Sequence, residues 1–269
     1  MPQAASLKEI KTNGNGHSEV TPKIVKTWRV EDSTRLYNID NWGSGYFSAN
    51  AAGEVTCTPV LQEGQGISLM QVVRKAKEMG LSFPLQIRFQ DLLRHRVRSI
   101  NLAFQAAIEE HSYKNSYRGV FPIKVNQLRE VVEEILDAGQ EFGHGLEVGS
   151  KPELVAALAI NDNPGSLIIC NGYKDNQYIH LALLGQKIGR QIILVMEKLD
   201  EVERLIRVAR EMELEPAIGL RIRLASKGSG KWADSSGEDA KFGLSSSEAL
   251  EAWEVLQENK MESALKMIH

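Results

Sequence analysis

The sequence predicts an α/β fold: an incomplete (β/α)8 barrel with about six of the eight strands, preceded by a smaller β/α extension. Two observations carry this. From Tyr117 onward, strand-like apolar segments alternate with helical ones at intervals of roughly 23 to 26 residues, the size of a βα unit. In addition, nothing in that count suggests a reversal of the sheet, so a barrel is favoured over an open doubly wound sheet.

Composition supports an enzyme-sized globular chain. The 269 residues are 42% hydrophobic and 25% charged, enough to bury a core. Lys and Arg number 32 against 35 Asp and Glu, a formal charge of -3, so no basic excess points to nucleic acid or an anionic membrane. Cys57 and Cys170 form no CxxC pair and the six histidines lack metal-ligand spacing, so neither a disulfide framework nor a structural zinc is supported. The opening "MPQAASLKEIKTNGNGHSEV" has no signal-peptide core and no later run is long and apolar enough to span a bilayer. The expected home is the cytoplasm.

In chain order, residues 1–23 read as a disordered leader, rich in Asn, Gly, Lys and Ser. Residues 24–112 form the N-terminal β/α segment. There "LYNIDNWGSGYFSANAAGEVTCTP" suggests short strands with "NAAG" as a turn, "ISLMQVVRKAKEMG" a helix stopped by Gly80, "FPLQIRF" a strand, and Gln90 to His111 a long helix.

Residues 113–269 form the incomplete barrel. Its strands are "RGVFPIKV", "GHGLEVG", "SLIICNG", "QIILVME", "AIGLRIRL" and a last run, "ALKMIH". Leu128, Val131, Val132, Ile135 and Leu136 share one helical face, which Gly139 is expected to end in a left-handed conformation. "SKPE" and "SSSE" offer capping boxes from Ser150 and Ser245. Between the fifth strand and its helix lies a long polar loop, "ASKGSGKWADSSGEDAKFG", expected on the active-site face as a lid, a subunit contact or a solvated insertion. Finding six strands means either that two are hidden in the N-terminal third or that the chain is the front part of a longer protein; the abrupt end after "ALKMIH" favours the second.

Reactive groups of a barrel gather at the carboxyl ends of its strands, and Lys124 stands at that end of the first. In apolar surroundings a lysine loses charge and its amine can attack a carbonyl. The alternative is a strand-end lysine with its stem on apolar neighbours and its ammonium in water, and the residues alone leave both open. Other motifs fail. "KGSGKW" has Ala225 where a phosphate loop needs glycine and Trp232 where it needs Ser or Thr, and "GLEVGS" lacks dinucleotide spacing. His144 and His180 are isolated and carry no argument.

Taken together, "YRGVFPIKVNQ", "FGHGLEVGSKPEL", "LIICNGYKD" and "GLRIRL" resemble the first five barrel strands of the pyridoxal-phosphate-dependent basic amino acid decarboxylases with an alanine-racemase-like barrel. "YNIDNWGSGYFSANAAGEV" and "FPLQIRFQDLLRHRVRSINLAF" resemble the arginine branch of that family rather than its ornithine or diaminopimelate branches. The resemblance implies that Lys124 carries pyridoxal phosphate as a Schiff base, with Glu147 near that lysine and Arg221 beside the pyridine ring.

The residues themselves also fit a strand-end carboxylate in water for Glu147 and an interior ion-pair residue for Arg221. Glu153 matches a family acidic position, but its capping role already accounts for it. Pro122, in place of the family's small residue, cannot donate a ladder hydrogen bond and suggests a local irregularity.

By the same resemblance L-arginine would lose CO2 to give agmatine, for polyamine biosynthesis, in a homo-oligomer with Mg2+ as a further cofactor. The alternatives are another basic amino acid decarboxylase or a non-catalytic cofactor- or partner-binding module. The family's ring-stacking histidine, phosphate cradle, acidic partner for the pyridine nitrogen, and second-domain cysteine and aspartate would all lie past His269. On this reading the chain is expected to be inactive alone.

Overall fold

The computed structural model describes residues 8–12, 18–22, 27–59, 66–224 and 242–269. The chain divides into two units, Met1–Leu92 and Leu93–His269. The division falls inside the long helix, earlier than the expected boundary at residue 112.

The first unit begins with β1 (Lys8–Thr12) and β2 (Ser18–Pro22), paired antiparallel with Ile10 opposite Val20. This ladder lies where the composition suggested a leader without structure. Two short helices follow, α1 (Val30–Leu36) and α2 (Ile39–Trp42), where short strands were expected. The expected hairpin comes next as β3 (Phe47–Ala49) against β4 (Val55–Cys57). Its turn is held by Asn50 Oδ1, which accepts the N–H groups of Ala52 and Glu54 at 3.0 and 2.9 Å. A two-residue strand, β5 (Ile67–Ser68), pairs with β4, and Ser68 Oγ caps α3 (Leu69–Glu78) by accepting from Gln71 N. "FPLQIRF" is not a strand. Leu85, Ile87 and Phe89 are half-buried in alternation, the period a strand would show, but among the described residues no strand pairs with them.

The helix α4 (Gln90–Glu110) leads into the second unit, whose strands are β6 (Val120–Pro122), β7 (Gly145–Val148), β8 (Leu167–Cys170), β9 (Gln191–Met196), β10 (Ile218–Leu220) and β11 (Leu265–Ile268). They form one six-stranded sheet in sequence order, with every pairing parallel. Between them run α5 (Arg129–Gly139), α6 (Lys151–Ile160), α7 (Asn176–Lys187), α8 (Leu199–Glu211) and α9 (Ser246–Glu258). This is the incomplete barrel that the spacing predicts. The polar loop after β10 lies outside the described residues as far as residue 241, and the lid expectation with it. Among the described residues no helix is long and apolar enough to cross a membrane.

Strand periodicity separates two faces. Leu146 and Val148, Ile168 and Cys170, Leu194 and Met196, and Ile218 and Leu220 belong to one buried cluster with Leu154, Ile179, Leu183, Val202 and Leu205 of the helices. The residues between them face the other way. A second cluster joins Val97 of α4 to Val131, Ile135 and Ala138 of α5, so α4 is anchored in the second unit.

The capping signals are met unequally. Ser245 and Glu248 form the reciprocal box. Ser150 accepts from Glu153 N, but the Glu153 carboxylate takes the N–H of Gly149 at 2.7 Å instead. Gly139 does not adopt the left-handed conformation expected of it. The chain continues through a 3-10 turn, Gln140–Phe142, and Gly143 takes that role with φ 63°.

Candidate functional site at the carboxyl ends of the strands

The site follows from the two-faced strands. At five successive strand ends a buried apolar residue on the helix side is followed at once by a polar one: Ile123 by Lys124, Leu146 by Glu147, Cys170 by Asn171, Met196 by Glu197, and Leu220 by Arg221. With a side-chain period of two, each polar group turns to the face opposite the helices.

Lys124 does not lie in the strand proper. β6 ends at Pro122, opposite Glu147 in the ladder, and the chain tightens into a 3-10 turn over Ile123–Val125. Pro122 thus marks an irregularity, as its missing N–H suggested. The turn leaves the Lys124 side chain 65% exposed, which corrects the apolar surroundings supposed for it. Its Nζ is 3.9 Å from Glu147 Oε1.

Glu147 is buried, and the same Oε1 accepts a hydrogen bond from Asn171 Nδ2 at 2.9 Å. It is therefore not a carboxylate standing in water. Arg221 NH1 lies 3.3 Å from Glu197 Oε2, and its guanidinium sits over the ring of Phe242 at 5.3 Å. Arg221 is thus an ion-pair residue, but its side chain keeps 34% exposure.

His269, at the end of β11, links these groups. Its backbone N–H donates to Leu220 O and its carbonyl accepts from Ile222 N, both at 2.8 Å. Its imidazole binds a proton less readily than usual, first through desolvation and then through the positive charge of Arg221; Lys124 adds to this, while Glu197 and Glu147 oppose it. All four charges act on one ring, so they share one end of the sheet.

Two buried oxygens here accept no hydrogen bond, Asn171 Oδ1 and Glu197 Oε2. Unsatisfied buried acceptors are uncommon in folded proteins, and each calls for an explanation such as a functional role or a bound water or ion. An amine open to solvent, two carboxylates and a guanidinium fit a group bearing a carbonyl and a polar heteroaromatic ring. Among the described residues no three His, Cys, Asp or Glu side chains converge as a metal cluster. A separate cleft of about 530 Å3 is lined by Ser150, Lys151, Tyr173, Asp175, Lys198 and Arg204, among others; it includes neither Lys124, Glu147 nor Arg221.

Reading the residues alone missed Asn171 and Glu197. Their signal was present, because each is the first polar residue after an apolar strand.

Residues 97–268 match the family model described as "Pyridoxal-dependent decarboxylase, pyridoxal binding domain", and the chain belongs to that family. It is 47% identical over 245 residues to a biosynthetic arginine decarboxylase of Bacteroides thetaiotaomicron and 42% identical over 246 residues to one of Nostoc sp.. Each match covers 91% of this chain, but only 39% and 36% of those relatives, so the chain spans about two fifths of their length. The crystal structure of the biosynthetic arginine decarboxylase of Campylobacter jejuni superposes with a TM-score of 0.76 at 34% identity, covering 87% of this chain and 37% of that one.

Proposed function

We propose that the protein to which this chain belongs uses pyridoxal phosphate to convert L-arginine to agmatine and CO2, with Lys124 as the cofactor-bearing lysine. The observation that carries this is the charge constellation at the strand ends, Lys124 with Glu147 and Arg221 with Glu197, whose fields meet at His269. The names of the relatives support arginine as the substrate.

When bound, pyridoxal phosphate supplies a sink for the electron pair left as the carboxylate departs. The chain's own residues prepare the site. Lys124 Nζ, exposed on its turn, is the amine that would meet the cofactor's carbonyl. Glu147 draws that amine toward the sheet, and Asn171 fixes the carboxylate that does so. Arg221, held by Glu197 and Phe242, would offer its guanidinium to the bound cofactor. Preset charges of this kind need no reorganisation during reaction.

Cytoplasmic residence belongs to the same proposal and is supported by free, buried Cys57 and Cys170. A homo-oligomer is the accompanying expectation, to be checked by light scattering. Magnesium is assigned no site.

Incubating the chain with pyridoxal phosphate, reducing with borohydride and mapping the peptides tests the role of Lys124. The label is expected on Lys124 and is expected to vanish in Lys124→Ala. A label shared evenly among exposed lysines would refute the assignment. Agmatine formation by the longer protein, with arginine preferred to ornithine and lysine, tests the substrate.

A further inference from the structure

The loops that carry Asn171 and Glu197 are tied together by a buried ring of contacts that the proposed chemistry does not itself use. Glu201 lies in the first turn of α8, and its two carboxylate oxygens accept the backbone N–H groups of Lys174 and Glu197 at 2.7 and 2.8 Å. Lys174 is fully buried; its ammonium lies 3.6 Å from Glu201 Oε2 and donates to Gly172 O. Gly172 closes the ring by giving its N–H to Glu197 Oε1 at 2.9 Å.

Gly172 can do this because it adopts φ 74° and passes so close to Gly149 that an added Cβ would lie 2.4 Å from that carbonyl oxygen. The result is a carboxylate, Glu197, with its backbone and one oxygen fixed. Its other oxygen is left free of hydrogen bonds, 3.3 Å from Arg221 NH1.

Burying a charge pair is expensive and adds little stability over an apolar substitute. Its use here is directional. Glu201 and Lys174 hold Glu197, which would otherwise be free to turn toward water, and Glu197 in turn holds a guanidinium that is one-third exposed.

We infer that Glu197 is a positioning residue that fixes the Arg221 guanidinium at the strand ends, and that the buried Glu201–Lys174 clasp sets Glu197 for that task. The purpose of the fixed guanidinium rests on the proposed cofactor role, but the pairing itself does not.

Phenylglyoxal, which modifies accessible guanidinium groups, tests the pairing in the full chain without any cofactor. Peptide mapping gives the modification rate of Arg221, with exposed Arg129 as internal control. Glu197→Gln keeps an acceptor for Gly172 N and removes the charge. It is expected to raise the Arg221 rate about fivefold, within the range of coupling between residues in contact, and to leave Arg129 and the melting temperature unchanged. Glu201→Gln, which keeps the Glu197 charge but loosens its backbone, is expected to raise the Arg221 rate less.

Should Glu197→Gln not fold, Glu201→Gln carries the test. An unchanged Arg221 rate in a folded variant, or equal rises at Arg221 and Arg129, would overturn the inference.

A second arm adds pyridoxal phosphate. Protection of Arg221 in the parent chain that is lost in Glu197→Gln ties the pairing to the cofactor. Absence of protection in both, together with the expected rates in the first arm, would count against the cofactor role and leave the pairing standing.

Discussion

Lys124 Nζ lies 3.9 Å from Glu147 Oε1, one group largely in water and the other buried. This unequal pair makes the carboxylate the buried anchor and the lysine its solvent-facing partner. Glu147 is held by Asn171, whereas the Lys124 ammonium is near Glu147 without being hydrogen-bonded to it.

The roles of Glu147 can therefore be separated by two substitutions. Glu147→Gln keeps an oxygen for Asn171 Nδ2 and loses the charge facing Lys124, so the fold is expected to persist while borohydride-trapped pyridoxal phosphate at Lys124 falls several-fold. Glu147→Ala also strands the Asn171 amide and is expected to cost about 1–3 kcal/mol in urea denaturation. Equal trapping in Glu147→Gln and the parent chain would mean that the carboxylate is structural only.

Gly139 offers a test of packing against propensity. On helix propensity alone, Gly139→Ala at the end of α5 should stabilise the chain. However, a Cβ there would lie 2.3 Å from the Cβ of His144, at the root of a side chain with little freedom to withdraw. Overpacking is expected to win, with a loss of about 1–3 kcal/mol in urea denaturation. A more stable Gly139→Ala variant would show that His144 yields easily.

The same position shows where sequence reasoning reached and where it stopped. The six parallel strands were legible because runs such as "QIILVM" are apolar on both faces, and Lys124 stood out as a lysine at the carboxyl end of the first of them, whereas Glu147 and Arg221 were reached only through the family resemblance. Gly139 was misjudged because a glycine after a helical face signals a left-handed end, whereas this one is small to admit His144, and that contact is invisible in one dimension. "FPLQIRF" failed for a related reason: alternation reports two faces, not a pairing partner. Asn171 and Glu197 obey the strand-end pattern but match no residue that the resemblance carried over, so their buried, unsatisfied oxygens are what set them apart. The Glu201–Lys174 clasp joins the first turn of α8 to the loop after β8, which spacing within one element cannot reveal.

His144 provides a pH test of the fold. Its ring is buried between α4, α5 and the start of β7, with Nδ1 3.5 Å from Asn101 Nδ2 and packed close to Gly119. Burial lowers its proton affinity below the ordinary value of 6.5. The unfolded chain therefore binds this proton more readily than the folded one. The stability that the neutral ring contributes is fully present above pH 6.5, declines as the pH falls below it, and is lost once the pH passes below the depressed folded value. Urea denaturation between pH 7.5 and 5 (a window set by that ordinary value) is expected to show stability falling with acidification, and His144→Gln is expected to flatten the fall even if it lowers stability at neutral pH. An unchanged slope in His144→Gln would assign the acid sensitivity to the carboxylates instead.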